Sequence, residues 1–420
     1  MEPEPAELQP WARLRGLAID LGPLRRHPAF RRLFVGQTIS TFGSEIAAVA
    51  APYQLYQLTH STLQVGLLSL CELVPLLTLT LAGGAIADAF DRRTIALRTE
   101  IALTVVAALF ALNATLAHPR VWAIYALVTV AMGLFSLGVA SMRTVVPRLV
   151  AEDELVAANA IEAVYSSTTS VAGPALGGVL IAAFGLRGAY ALDAATFFAS
   201  IWSVYRLPAL PPLHDADRPS LRSIAEGFRF VRRTKALLGQ MLVDSNAMLF
   251  GMPRALFPAL AVGRFHGGAT VVGLLFAAPY AGALTSSLLS GPLARIRRQG
   301  LWVAIAAAAW GAAIAGFGFA RPLWLALLLL AAAGAADNVS AVLRSTMLFA
   351  LTPDQLRGRL IGIEFAQVAS TPALGNLEAG VVASLTSVRF SIVSGGLACV
   401  AGTVLVALAV PALIRYDARR

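Results

Sequence analysis

Residues 83–97 read GGAIADAFDRRTIAL, ending one apolar run and beginning the next. Eight residues, Ala87 to Thr94, carry the change. A chain that reverses so quickly between two long apolar runs is turning at the edge of a bilayer. Gly83 and Gly84 allow close helix contact. Asp88 stands where the backbone leaves the hydrocarbon, and Arg92 and Arg93 mark the cytoplasmic side. The stretch predicts a membrane-embedded helical protein.

The composition agrees. Of 420 residues, 57% are hydrophobic and 13% are charged, and the mean hydropathy is +0.72. Soluble chains carry roughly 25% charged residues, so the class is a polytopic membrane protein. A span needs about 20 predominantly apolar residues. Runs that qualify are 33–56, 65–87, 95–117, 121–142, 161–184 and 188–207, then 237–262, 271–294, 301–319, 323–343, 360–385 and 390–414. The turns AHPR (117–120) and FARP (319–322) leave no room for an outer soluble domain.

These runs imply an N-terminal arm (1–32), a first bundle (33–207), a linker (208–236), a second bundle (237–414) and a tail (415–420). The linker begins proline-rich. Its second half sets Leu221, Ile224, Ala225, Phe228 and Val231 at helical spacing among Arg222, Arg229, Arg232 and Arg233. Such an amphipathic helix lies on the cytoplasmic leaflet. The arm is polar and basic, unlike a cleavable signal. With the N-terminus inside, twenty-seven Lys and Arg fall on cytoplasmic segments and five on outer turns, which places both ends in the cytoplasm. The net charge of +10 is therefore topological and does not imply a nucleic-acid partner.

The halves repeat. Arg143 matches Arg344, Asp153 matches Asp354 and Leu155 matches Leu356, all 201 residues on. Glu162 matches Glu364 and Gly178 matches Gly380, 202 residues on. Duplicated six-helix units follow. In the second half the counterpart of the opening stretch is GPLARIRRQG (291–300), with Arg295 where an aspartate is expected.

Gly84, Asp88, Arg92 and Arg93 resemble the signature loop between helices 2 and 3 of major facilitator superfamily transporters. Ala89 replaces a usual basic residue and Asp91 a usual glycine; the D-x-x-D-R-R form is similar to that of enterobactin-exporter-like proteins. AGPALGGVLIA (172–182) resembles an exporter motif at Gly173, Pro174, Gly177 and Gly178, with Thr169 at the upstream glycine position. The resemblance implies an all-α membrane protein of twelve helices in two pseudo-symmetric bundles, with helices 1, 4, 7 and 10 lining a central cavity. It also implies that Asp88 holds the cytoplasmic gate near the start of the eleventh span.

Ionisable groups inside spans are costly and are functional suspects. They are Glu45, Glu72, Asp193, Asp244, Arg254, Asp337 and Glu378, with Glu100, Arg143, Glu162, Arg344 and Glu364 near cytoplasmic ends. The resemblance favours Glu45, Arg254, Asp337 and Asp244 as cavity residues. Asp244 has a simpler reading as a partner of Lys235 or Arg233, and Asp193 as an interfacial cap or helix–helix hydrogen bond. Glu378 lies in PALGNLEAG, beside Pro372, Gly375 and Gly380, which reads as a polar-lined hinge. Glu45, mid-span behind Gly43 and Ser44, is the strongest candidate for loading and releasing a proton.

No metal-ligand spacing, Walker loop or nucleophile elbow is present, and Cys71 and Cys399 read as small hydrophobes. No enzyme activity, cofactor or metal is expected. The expectation is a monomeric bacterial inner-membrane exporter of a siderophore or amphipathic drug-like molecule, driven by proton antiport. Uptake of a small metabolite and a non-transporting sensor or scaffold are the alternatives.

Overall fold

The computed structural model describes residues 20–89, 91–142, 145–208 and 221–418. Arg143, arm residues 1–19 and linker residues 209–220 lie outside the described residues, as do the side chains of Gly83, Gly84 and Asp88.

The first four spans lie on α1 (Pro28–Thr59), α2 (Thr62–Ala89), α3 (Arg92–Thr115) and α4 (Val121–Met142). Spans five and six share α5, Leu155–Tyr205, whose 51 residues would run about 77 Å if straight. That is more than twice the roughly 30 Å hydrocarbon core, so the helix must reverse. It does so at Gly185, whose φ of 68° suits a residue without a Cβ. The amphipathic linker helix α6 is Leu221–Arg233.

Span seven is not the continuous helix its apolar sequence suggests. α7 (Lys235–Phe250) stops before Gly251, Met252 and Pro253, a single 3₁₀ turn follows at Arg254–Leu256, and α8 (Phe257–Gly263) completes the crossing. Pro253 removes a backbone donor, and the freed N–H of Ala255 is taken by the Asn376 side chain at 3.1 Å. The remaining spans are α9 (Gly268–Leu288), α10 (Gln299–Phe319), α11 (Leu323–Leu351), α12 (Asp354–Leu385) and α13 (Val388–Ala409).

Among the described residues there is no strand, and eight helices, including the doubled α5, are long and apolar enough to cross a membrane. The other expected spans fall on α1, α7 with α8, and α12. They miss that measure through polar residues or, at α7, length. These helices carry much of the site.

Within the first half α5 packs on α1 and α3, and α2 packs on α4; within the second, α11 packs on α9 and α10, and α7 packs on α12 and α13. The halves meet where α2 lies on α12 and where α5 lies on α9. Two such seams, span two with eleven and span five with eight, are what a twofold relation between duplicated halves produces. Both seams close toward the face remote from the termini. A Cβ on Gly66 of α2 would stand 2.8 Å from the Asn376 carbonyl oxygen, and one on Gly178 of α5 would stand 3.0 Å from Gly273 Cα. Glycine permits these backbones to touch. The Thr62 hydroxyl adds a hydrogen bond to the Gly380 carbonyl at 3.1 Å.

At the opposite face α2 runs to Ala89, so the turn is tighter than the eight residues read from sequence. Asp91, the departure from the signature, caps α3 by accepting from the Thr94 N–H at 2.9 Å. Arg93 donates to the Tyr205 carbonyl at the end of α5, at 2.6 Å. Before α1, Arg26 and His27 both hold Glu154, each at 2.5 Å.

Candidate functional site

The exporter-like motif on α5 has two working faces. Gly173 and Gly177 lie against α1: a Cβ at Gly173 would stand 2.6 Å from the Glu45 Cβ, and one at Gly177 would stand 3.1 Å from Ile46 Cα. The Glu45 stem thus occupies the space Gly173 leaves. The Pro174 carbonyl and Gly178 lie instead against Gly273 of α9, in the other half. One short motif joins the mid-span carboxylate of α1 to a seam between the halves.

The break in span seven supplies the counter-charge. Arg254 leaves the 3₁₀ turn half-buried, with its guanidinium 5.0 Å from the centre of the Tyr280 ring. It interacts electrostatically with Glu45, Glu72 and Asp337. Among the described residues it makes no ion pair within 4.0 Å. One cation therefore faces carboxylates from α1 and α2 of one half and α11 of the other, held by none of them.

A second cluster is tightly joined. Arg344 of α11 forms an ion pair with Asp244 of α7 and lies 3.9 Å from Asp337. Gln367 of α12 donates to Asp244 at 2.9 Å and to the Met241 carbonyl at 3.0 Å. Glu364 lies in the field of Arg344 and Asp244. The expected pairing of Asp244 with Lys235 or Arg233 is thus corrected: its partner comes from another span. Arg143, the repeat counterpart of Arg344, lies outside the described residues.

The other intramembrane carboxylates separate. Asp193 is buried at 4%, beside Gly43 of α1, and no donor reaches its Oδ1 among the described residues. The helix–helix hydrogen bond expected for it is absent there. Glu100 accepts from Gln37 at 3.1 Å. Glu378 is half-buried on α12, near Asn376. Glu162 helps line a cavity of about 380 Å³ between α1, α4 and α5, with Phe30, Phe34, Gln37, Thr41 and Tyr165. Gln367 and Asn376 were missed from sequence. Their signal was an amide on an apolar span, which weighs less than a charge.

Two glycine-tight seams between duplicated halves and a broken span beside buried charge are features of a membrane transporter built from repeats. The chain belongs to the major facilitator superfamily: residues 18–418 match the family described as Transmembrane secretion effector. It is a transporter and not an enzyme. It is 34% identical over 393 residues to the enterobactin exporter EntS of Citrobacter koseri, covering 93% of this chain and 94% of that protein. Among solved structures it is similar to a POT family transporter crystallised with 5-aminolevulinic acid (TM-score 0.73, 11% identity, 93% of this chain and 97% of that one). It is also similar to a bacterial homologue of the iron transporter ferroportin in an inward-facing state (TM-score 0.68, 15% identity, 92% and 99%). Those two likenesses concern the fold alone.

Proposed function

We propose that the protein exports a siderophore, or a related amphipathic molecule, by proton antiport across a bacterial inner membrane. It works as a monomer with both termini in the cytoplasm. The observation that carries this reading is the near full-length similarity to the Citrobacter koseri enterobactin exporter. The geometry supplies a mechanism. Taking the termini face as cytoplasmic, closure of the Gly66–Asn376 and Gly178–Gly273 contacts makes this conformation open to the cytoplasm.

In the mechanism a proton on Glu45 and substrate in the cavity exclude each other. The outward leg carries substrate with Glu45 ionised and Arg254 as its counter-charge. The return leg carries the proton, whose neutral carboxyl form costs less in an apolar surround. A change of contacts at Glu45 reaches the seam through Gly173 and the adjoining Pro174 carbonyl. Asp88 closes the cytoplasmic side of the first half.

The test is flux of a tricatecholate siderophore in proteoliposomes, with and without an imposed pH gradient. Glu45→Gln loses gradient-driven accumulation and keeps downhill exchange. Accumulation at the wild-type level would remove Glu45 as the coupling residue and transfer that role to Glu378 or Asp337.

A further inference from the structure

The linker helix α6 carries a basic groove that the transport mechanism does not use. One face is docked: Gly227 lies against Ile363 of α12, and Val231 is buried with Leu237, Leu348 and Leu360. Glu226, at the edge of that face, pairs with Arg359 at 2.6 Å. The other face presents Arg229, Arg232 and Arg233, at i, i+3 and i+4, so the three guanidiniums share one side of the helix. Lys235 joins them as the first residue of α7. Together with Ala225 and Phe228 they line a groove of about 640 Å³.

Three observations say what fits there. All four cations are exposed, and among the described residues none of them forms an ion pair. Among the described residues the groove therefore has no anion of its own. Its depth is fixed by Lys235, which begins a membrane span and so stands at the level of lipid headgroups. The third is Phe228, which is 52% exposed beside the cations. An aromatic ring next to several cations at the membrane edge suits a ligand with an anionic head and an apolar body.

We propose that this groove binds the phosphate of an anionic phospholipid, held by Arg229, Arg232, Arg233 and Lys235, with Phe228 against its glycerol and upper acyl carbons. The Glu226–Arg359 pair ties the same helix to the start of α12, so a bound lipid braces that end of the second half.

The test is native mass spectrometry of the full-length protein taken from bilayers of phosphatidylethanolamine and phosphatidylglycerol. Wild type retains phosphatidylglycerol over phosphatidylethanolamine by roughly tenfold or more. The Arg229→Gln/Arg232→Gln/Arg233→Gln variant loses that preference, and the corresponding triple Lys variant keeps it. Arg297→Gln, at an arginine already paired with Asp417, also keeps it. Equal retention of the two lipids by wild type, or a preference that survives the triple Gln substitution, overturns the proposal. Displacement of the lipid by millimolar inorganic phosphate identifies a soluble phosphate as the occupant and overturns it too. Unaltered far-UV circular dichroism in the Gln variant separates loss of the site from loss of the fold.

Discussion

The two halves treat buried charge in opposite ways. In the second half Asp244, Arg344, Gln367 and Asp337 close on one another, and the aspartate is buried with its charge answered. In the first half Glu45, Glu72 and Asp193 have no ion pair or side-chain hydrogen bond among the described residues. The cation that acts on Glu45 and Glu72, Arg254, belongs to the other half. A charge answered within its own bundle stabilises that bundle. A carboxylate that has to look across the seam reports on how the halves are placed. The comparison separates charge answered within one bundle from charge whose surroundings depend on how the two bundles are placed.

The largest effect should come from breaking the answered cluster. Arg344→Gln strands Asp244 and costs about 3–5 kcal/mol of stability, read by thermal unfolding in detergent. Asp244→Asn/Arg344→Gln recovers most of that loss, because the charge that Arg344 answers most closely is removed with it. A double variant as unstable as the single one would mean that packing, not charge pairing, holds α7 to α11.

Next is the seam. Gly178→Leu forces apart backbones that now touch and disfavours this conformation by about 1–3 kcal/mol. A cysteine at Ala269, buried one turn before Gly273 on α9, should then gain reactivity toward membrane-impermeant thiol reagents, and unchanged labelling would separate seam closure from transport state. Smaller still, Asp193→Asn should shift stability by under about 1 kcal/mol, since the carboxyl has no partner to lose. A loss as large as that of Arg344→Gln would erase the contrast between the halves.

The smallest effect is at Glu154, a buried first-half carboxylate answered by Arg26 and His27 ahead of α1. The hydrogen bond with His27, then the Arg26 contact, hold its carboxyl below the ordinary 4.5. Because the folded value is the lower one, this contribution is present above pH 4.5 and is lost as pH falls below it. The difference in melting temperature between wild type and Glu154→Gln should therefore shrink on acidification, and a gap that is flat with pH would refute the assignment.

The spans were legible because apolar length and the distribution of arginine are answers to the bilayer and need no knowledge of the fold. The turn between spans five and six was legible for the same reason, and the repeat was legible from identical residues 201 or 202 positions apart. The partner of Asp244 was not. Lys235 and Arg233 are close along the chain, but Arg344 lies a hundred residues on, and only packing brings it near. The break in span seven was written in Gly251 and Pro253, yet hydropathy runs on across it, so an apolar scale passes over the residues that free Arg254. The Gly173 and Gly178 motif could be found from sequence. That its two faces serve two different helices could not.

The reversal at Gly185 bears on how the chain is made. Spans five and six are joined with no loop between them, so they must enter the membrane as one hairpin. Arg187 is the only Lys or Arg near their shared tip, so little charge has to cross the bilayer with the pair. The hairpin that carries the seam glycine Gly178 on one arm and Asp193 on the other is thus set in place as a unit during synthesis. The second half, with α9, must find an edge that is already formed.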